Sequence, residues 1–301
     1  MDIAITNVQL DLGCGRRGTD MGPSAMHVAG LVPGLTRIGH RIHSVEDVEA
    51  RSAESISVGD PSARYLDAIL SVCSRLTDRV AANLADGHLP LVLGGDHAQA
   101  IGTISGLARH HKARGERVGV IWVDAHTDMN TPDSSPSGNI HGMPLAALLG
   151  HGPSSLTGLS GSTPALRPED VAIIGARDVD STEIPLVKET GVRVYTMSEL
   201  DSRGTAVCVR EALERVLDGT AGVHLSFDLD GVDPKDAPGV GTPVPGGLTL
   251  RESHLICESI ARSQKLLGME MVELNPTLDV RNTTGELAVW LIMSAMGKTI
   301  L

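Results

Sequence analysis

Asp124, His126 and Asp128 alternate within VDAHTD, and Asp228 and Asp230 alternate within FDLDG. Groups spaced by two share one face of an extended strand. Each cluster follows an apolar run, VGVIWV before the first and GVHLSF before the second. Brought together and ionised, the four carboxylates would repel one another strongly in a low-dielectric site unless protons or cations neutralise them. Two divalent cations would cancel their charge, and that is the reading the pattern favours. His97, after the flexible pair Gly94-Gly95, adds a sixth candidate ligand. Taken singly, an Asp at a strand end makes a turn and a buried His is hydrogen-bonded core. Those readings leave the strict alternation of five such groups unexplained. Oxygen ligands with a minority of imidazole and no thiolate suit manganese, iron, cobalt or nickel better than a structural zinc. Two such ions roughly 3.5 Å apart hold a bridging water and lower its pKa towards neutrality. The reaction class is hydrolysis.

Short β-rich runs alternate with helix-length stretches and must position these groups. Strands are predicted at 3–8, 41–45, 89–93, 118–123, 171–174, 193–196, 223–227 and 265–272. The clearest helix carries Leu66, Ile69, Leu70, Cys73, Leu76, Val80 and Leu84 on one face, spaced by three and four. Further helices are predicted at 22–31, 97–110, 199–217, 249–263 and 284–298. This alternation specifies an α/β protein, a three-layer α/β/α arrangement with a mostly parallel sheet of about eight strands. No linker or repeat divides the chain, so 1–301 reads as one domain, with the polar stretch 152–168 as a surface excursion. In open parallel sheets ligands bind beyond the carboxyl ends of the strands. LGGDH (93–97), DAHTD (124–128), DLD (228–230) and VELNP (272–276) all fall there.

Composition narrows the partners. A formal charge of −12 over 301 residues argues against a nucleic-acid or anionic-membrane surface and accommodates a cationic small molecule. Only 2% of residues are aromatic, so aliphatic side chains and methionine must build the core. Cys14, Cys73, Cys208 and Cys257 are scattered without a C-x-x-C pair and read as reduced thiols of a cytoplasmic protein. The N-terminus carries acids where a signal peptide needs bases, and no apolar stretch approaches a membrane span.

GRRGTDMGPSAM (15–26), LGGDHAQAIGT (93–103), VDAHTDMNTPDSSPSGNIHG (123–142), GARDVD (175–180), SFDLDGVDP (226–234), GTPVPGGLTLRE (241–252) and VELNPTLDVRN (272–282) together resemble the ureohydrolase family, and within it the arginases of bacterial type. The resemblance runs from the first strand to the last helix. It implies the arginase-like fold and two manganese ions, with cobalt, nickel or iron as substitutes. One ion would be held by His97, Asp124, Asp128 and Asp228, the other by Asp124, His126, Asp228 and Asp230. It further implies that a metal-bridging hydroxide attacks the guanidinium carbon of L-arginine, and that the tetrahedral intermediate collapses to L-ornithine and urea. Asp128 is expected to accept a proton from the nucleophile, and His141 to shuttle protons. Glu273 is expected to pair with the guanidinium, with Thr242 as a neighbouring hydroxyl contact. Asn130, Ser137 and Asn139 match the positions that receive the α-carboxylate. Asp180, with Asp178 near it, matches the acid that recognises the α-ammonium. The resemblance also implies a cytoplasmic homotrimer or homohexamer.

The chain departs from the family's usual pattern at Ala98-Gln99, where Ser-Ile is usual, and at His27, where arginine is common. Ala98 and Gln99 adjoin His97 and are placed to alter its orientation. The stretch 152–168 follows the substrate loop and is in position to line or narrow the entrance. Three alternatives remain open. One is a hydrolase of the same fold acting on agmatine or guanidinobutyrate. A metallophosphoesterase also uses D-x-H, but the G-N-H-[DE] tetrapeptide it needs is absent. A binding protein without turnover is the third, although such proteins usually lose a ligand or the shuttle.

Overall fold

Alternating apolar runs and amphipathic stretches fold, in the computed structural model, into one eight-stranded sheet whose strand pairs are all parallel. The structure describes residues 1–299. The strands are β1 (Asp2–Gln9), β2 (Arg41–Glu49), β3 (Leu89–Leu93), β4 (Gly119–Val123), β5 (Val171–Ala176), β6 (Arg193–Thr196), β7 (Val223–Asp228) and β8 (Leu266–Val272). Their order is β2-β1-β3-β8-β7-β4-β5-β6. Every predicted strand is present.

Eleven helices accompany the sheet among the described residues. They are α1 (Gly22–Val28), α2 (Leu31–Arg37), α3 (Leu66–Ala85), α4 (Ala100–Lys112), α5 (Pro144–Leu148) and α6 (Ser154–Thr157), then α7 (Ile184–Thr190), α8 (Met197–Arg203), α9 (Thr205–Leu217), α10 (Leu250–Ser263) and α11 (Thr283–Ala295). Successive strand residues feed opposite faces, so the core divides in two. Ile121, Val123, Ala172 and Ile174 pack with α1, α2 and α8 to α11. Val120, Trp122, Val171 and Ile173 pack with α3, α4 and α5. No helix is long and apolar enough to cross a membrane among the described residues. The four cysteines are buried and unpaired.

Helix boundaries differ from the sequence expectation where backbone chemistry interrupts the apolar period. The stretch predicted as one helix over 199–217 is broken at Gly204, whose φ of 86° an L-residue rarely adopts, giving α8 and α9. Segment 22–31 ends as a helix at Val28, and a second helix, α2, starts beyond Gly30. The predicted helix at 97 opens as a 3-10 turn, His97–Gln99, before α4 begins. α2, α5, α6 and α7 are too short to carry a legible period.

Candidate metal centre

β3, β8, β7 and β4 lie side by side in the sheet, so the segments leaving their carboxyl ends converge. Asp228 closes β7, Asp230 sits in the 3-10 turn Leu229–Gly231, and His97 opens the turn after β3. One expectation is corrected here. β4 ends at Val123, so Asp124, His126 and Asp128 occupy an irregular loop, and strand alternation does not aim them. Backbone hydrogen bonds do. His126 N–H donates to Asp124 Oδ1 (2.7 Å), Ala125 N–H to Asp230 Oδ1 (3.1 Å) and Asp230 N–H to Asp228 Oδ1 (2.8 Å). Asp228 and Asp230 each spend one oxygen on the chain and turn the other inward, while Asp124 faces one imidazole with each oxygen. Asp128 is placed by a left-handed backbone, φ 52°, and its carbonyl accepts Leu145 and Ala146 N–H at the start of α5.

His97 Nδ1 lies 3.2 Å from Asp124 Oδ2, 3.1 Å from Asp128 Oδ2 and 3.1 Å from Asp228 Oδ2. Both His97 Nδ1 and Asp128 Oδ2 are buried without a hydrogen-bond partner. His97 Nε2 meets Ser226 Oγ at 2.9 Å, and the ring stacks on Trp122, whose indole N–H donates to Asp124 Oδ2. The opposite imidazole, His126, has Nδ1 3.3 Å from Asp124 Oδ1 and 3.2 Å from Asp230 Oδ2. Two groups with metal-ligand spacing result, His97-Asp124-Asp228 and Asp124-His126-Asp230, sharing Asp124. One proton on a nitrogen cannot satisfy three converging oxygens, whereas a cation can. With Ser226 and Trp122 orienting the ligands from behind, the residues fit a metal centre.

Without a cation the acids titrate far apart. Burial and the charge of Asp124 push Asp128 up to about 7, and burial with Asp230 and Asp124 pushes Asp228 well above the carboxylate range. Burial works against ionised Asp124 too, but His126 and His97 outweigh it and hold its carboxyl low. Burial likewise disfavours the His97 imidazolium, yet Asp124, Asp128 and Asp228 raise it. In the bare site, protons on imidazole and carboxylate take the place of cation charge.

The cleft above this cluster brings together almost every residue expected at the site. Asn130 is held at both ends of its amide: its Nδ2 donates to Asp180 Oδ2 (2.9 Å) and its Oδ1 accepts from Ser134 Oγ (2.9 Å). Ser137 Oγ accepts Asn139 N–H (3.2 Å), and Asn139 Oδ1 accepts from Arg64 (3.2 Å). Asp178 and Asp180 add two exposed acids to the lining. Thr242 Oγ1 donates to Asp230 Oδ2 (2.9 Å), which ties it to a candidate ligand. Glu273 is set behind His141, with φ 65° and its Oε1 accepting His97 N–H (2.9 Å) and facing His141 Nδ1 (3.0 Å). Its Oε2 is buried with no hydrogen-bond partner. Burial alone would lower His141, but the Glu273 carboxylate overrides it and pushes the imidazole up to about 9. Glu273 responds in kind, held below its ordinary value by His141 against burial.

The segment 152–168 does not border the cleft, against expectation. It packs beside α4 and α5 through buried Leu156 and Leu166, and Arg109 donates to its Leu159 carbonyl. The mouth extends instead between 14–16 and 241–244. Of the departures, Gln99 Nε2 contacts Glu270 Oε2 at 3.4 Å and His27 Nε2 meets Asn7 Oδ1 at 2.9 Å. Sequence reasoning missed Glu183, which is buried in the cleft wall and accepts Met129 N–H and Asp180 N–H, both at 3.0 Å. It also missed Arg177, whose guanidinium donates to the carbonyls of Gly175, Asp230, Gly231, Val232 and Val244.

The chain matches the arginase family over residues 1–297. It is 48% identical over 300 residues to the arginase of Bacillus caldovelox, covering 99% of each chain. The solved structure of that enzyme superposes with a TM-score of 0.95 at 48% identity, over 100% of this chain and 99% of the other. The arginase of Entamoeba histolytica in complex with L-ornithine is 32% identical and superposes with a TM-score of 0.89, over 99% of this chain and 100% of that one.

Proposed function

The chain belongs to the arginase family, and from that premise we propose that it hydrolyses L-arginine to L-ornithine and urea with two manganese ions. His97, Asp124, Asp128 and Asp228 would hold one ion, and Asp124, His126, Asp228 and Asp230 the other. When bound, such a pair supplies Lewis acidity that makes a hydroxide nucleophile available near neutral pH. The observation that carries the reading is a buried, unpartnered His97 Nδ1 with three carboxylate oxygens converging on it, at the floor of an amide- and acid-lined cleft.

The chain's own groups divide the remaining work. Asp128, in contact with His97 at the cleft floor, is placed to take a proton from the attacking water. As the bond from the guanidinium carbon to Nε breaks, the departing amine needs a proton. His141 borders the cleft and is held protonated near neutral pH by Glu273, which suits it to that donation. Glu273 thus acts through His141, and its free Oε2 is the remaining acceptor for a guanidinium. Asp178, Asp180 and Glu183 favour an α-ammonium, while Ser137 and Asn139 on the facing loop offer donors to an α-carboxylate. The L-ornithine complex of the Entamoeba relative supports an amino-acid substrate rather than a decarboxylated one. We further read the protein as one cytoplasmic domain that assembles as a trimer or hexamer, which light scattering checks directly.

Urea release is the test. Protein stripped of metal and reloaded with manganese, cobalt, nickel or iron is offered arginine, agmatine and guanidinobutyrate. Arginine with manganese is expected to give the highest kcat/KM. Faster release from agmatine would sink the substrate assignment.

A further inference from the structure

Arg64 belongs to none of the motifs that announce the site, yet it reaches the substrate loop. Its Nη1 donates to Asn139 Oδ1 at 3.2 Å, and its backbone N–H donates to the Gly138 carbonyl at 2.9 Å. The strap before α3 is pressed against that loop so closely that a Cβ at Gly138 (φ 69°) would overlap the Pro61 carbonyl. Arg64 is half-buried, and among the described residues its guanidinium has no carboxylate partner. The guanidinium lies over the Tyr65 ring, 6.0 Å from its centroid, and no carboxylate among the described residues neutralises its charge.

A guanidinium only donates, so Asn139 must turn its oxygen to Arg64 and its NH2 the other way. That NH2 faces Gly15, which borders the mouth of the cleft, since a Cβ at Gly15 would stand 3.2 Å from Asn139 Nδ2. Asn130 is oriented differently, with one N–H committed to Asp180 and its oxygen accepting from Ser134. Asn139 presents its NH2 uncommitted to any carboxylate, and Arg64 sets its orientation. The cleft also carries Asp178, Asp180 and Glu183, which make it acidic. A carboxylate entering that field is repelled unless a positive charge stands on its own side.

We propose that Arg64 is a specificity-determining residue, which pins the Asn139 amide with its N–H groups towards the cleft and supplies the charge that admits a substrate bearing an α-carboxylate. It acts through Asn139 and makes no contact with the reacting atoms. The inference rests on the arginine reading above and extends it to discrimination against the decarboxylated analogue.

Arg64→Met removes the donors and the charge at similar volume, whereas Arg64→Lys keeps the charge. Both are assayed as manganese-loaded full-length protein, with arginine as substrate and agmatine as substrate and competitive inhibitor. Arg64→Met is expected to raise the arginine KM about tenfold, the size of one lost charge-assisted hydrogen bond, with kcat little changed. The inhibition constant of agmatine stays at the wild-type value, and Arg64→Lys recovers part of the loss. An unchanged arginine KM in Arg64→Met overturns the proposal. So does a parallel weakening of arginine and agmatine, which would make the strap a support for the cleft's shape. A lysine variant no better than methionine overturns the role of charge. Failure of the substrate reading looks different: the wild type itself would release urea faster from agmatine than from arginine.

Discussion

Glu273 and His141 shift each other in opposite directions, the carboxyl down and the imidazole up to about 9, as a buried ion pair does. If the protonated imidazole serves the leaving amine, activity is retained below that value and lost as pH rises through it. Glu273→Gln removes the charge that raises His141, so the alkaline limb of kcat is expected to move down towards the ordinary histidine range of about 6.5. His141→Ala abolishes the limb and slows turnover by about 10²- to 10⁴-fold while metal content stays that of the wild type. A limb that stays in place in Glu273→Gln would mean that another group titrates. The candidate ligands stood out in the sequence because acids and histidines at short, regular spacing are rare by accident, whereas His141 was singled out only by the family resemblance. Glu183 and Arg64 stood out in neither way. They work on backbone or amide groups of segments far away in sequence, and only the fold makes them neighbours.

The elements were legible to different degrees. β3 matches its expected ends, because a buried parallel strand is an unbroken apolar run bounded by polar turns. The helices on either side of Gly204 share one apolar period, so the break between them left no trace in the pattern. The loop 124–128 mimics a strand in sequence, but Asp124 is aimed by its own loop's His126 N–H and Asp128 by its left-handed backbone, while Ala125 N–H holds Asp230 in the turn after β7. That turn is tied down by Arg177, which leaves the end of β5 and donates to carbonyls around β7 and to Val244. Lysine cannot reproduce that planar fork. Arg177→Lys is expected to cost on the order of 2 kcal/mol, from hydrogen bonds worth about 1 kcal/mol each. It should also release metal to a chelator faster than wild type, because Asp230 stands on the loosened turn. Unchanged release would confine Arg177 to stability.

Over the whole molecule, two aliphatic cores grip the sheet from both faces and leave the acidic cluster at one end of its central strands. Cation binding to the folded form alone adds stability, about 2.7 kcal/mol at a hundredfold excess over the dissociation constant. Asp128 opposes that gain. Its left-handed backbone disfavours any side chain by roughly 1–2 kcal/mol, and its carboxylate is crowded by Asp124. Glycine at this position keeps the carbonyl that receives α5 and relieves both penalties. With chelator present, Asp128→Gly is therefore expected to melt above the wild type, and saturating manganese should reverse the ranking in a thermal scan. The wild-type sequence would then be the sturdier one only while manganese is plentiful. Under scarcity, the working enzyme would be a poorer scaffold than its inert variant, so its survival would track the supply of the ion as well as the heat it meets.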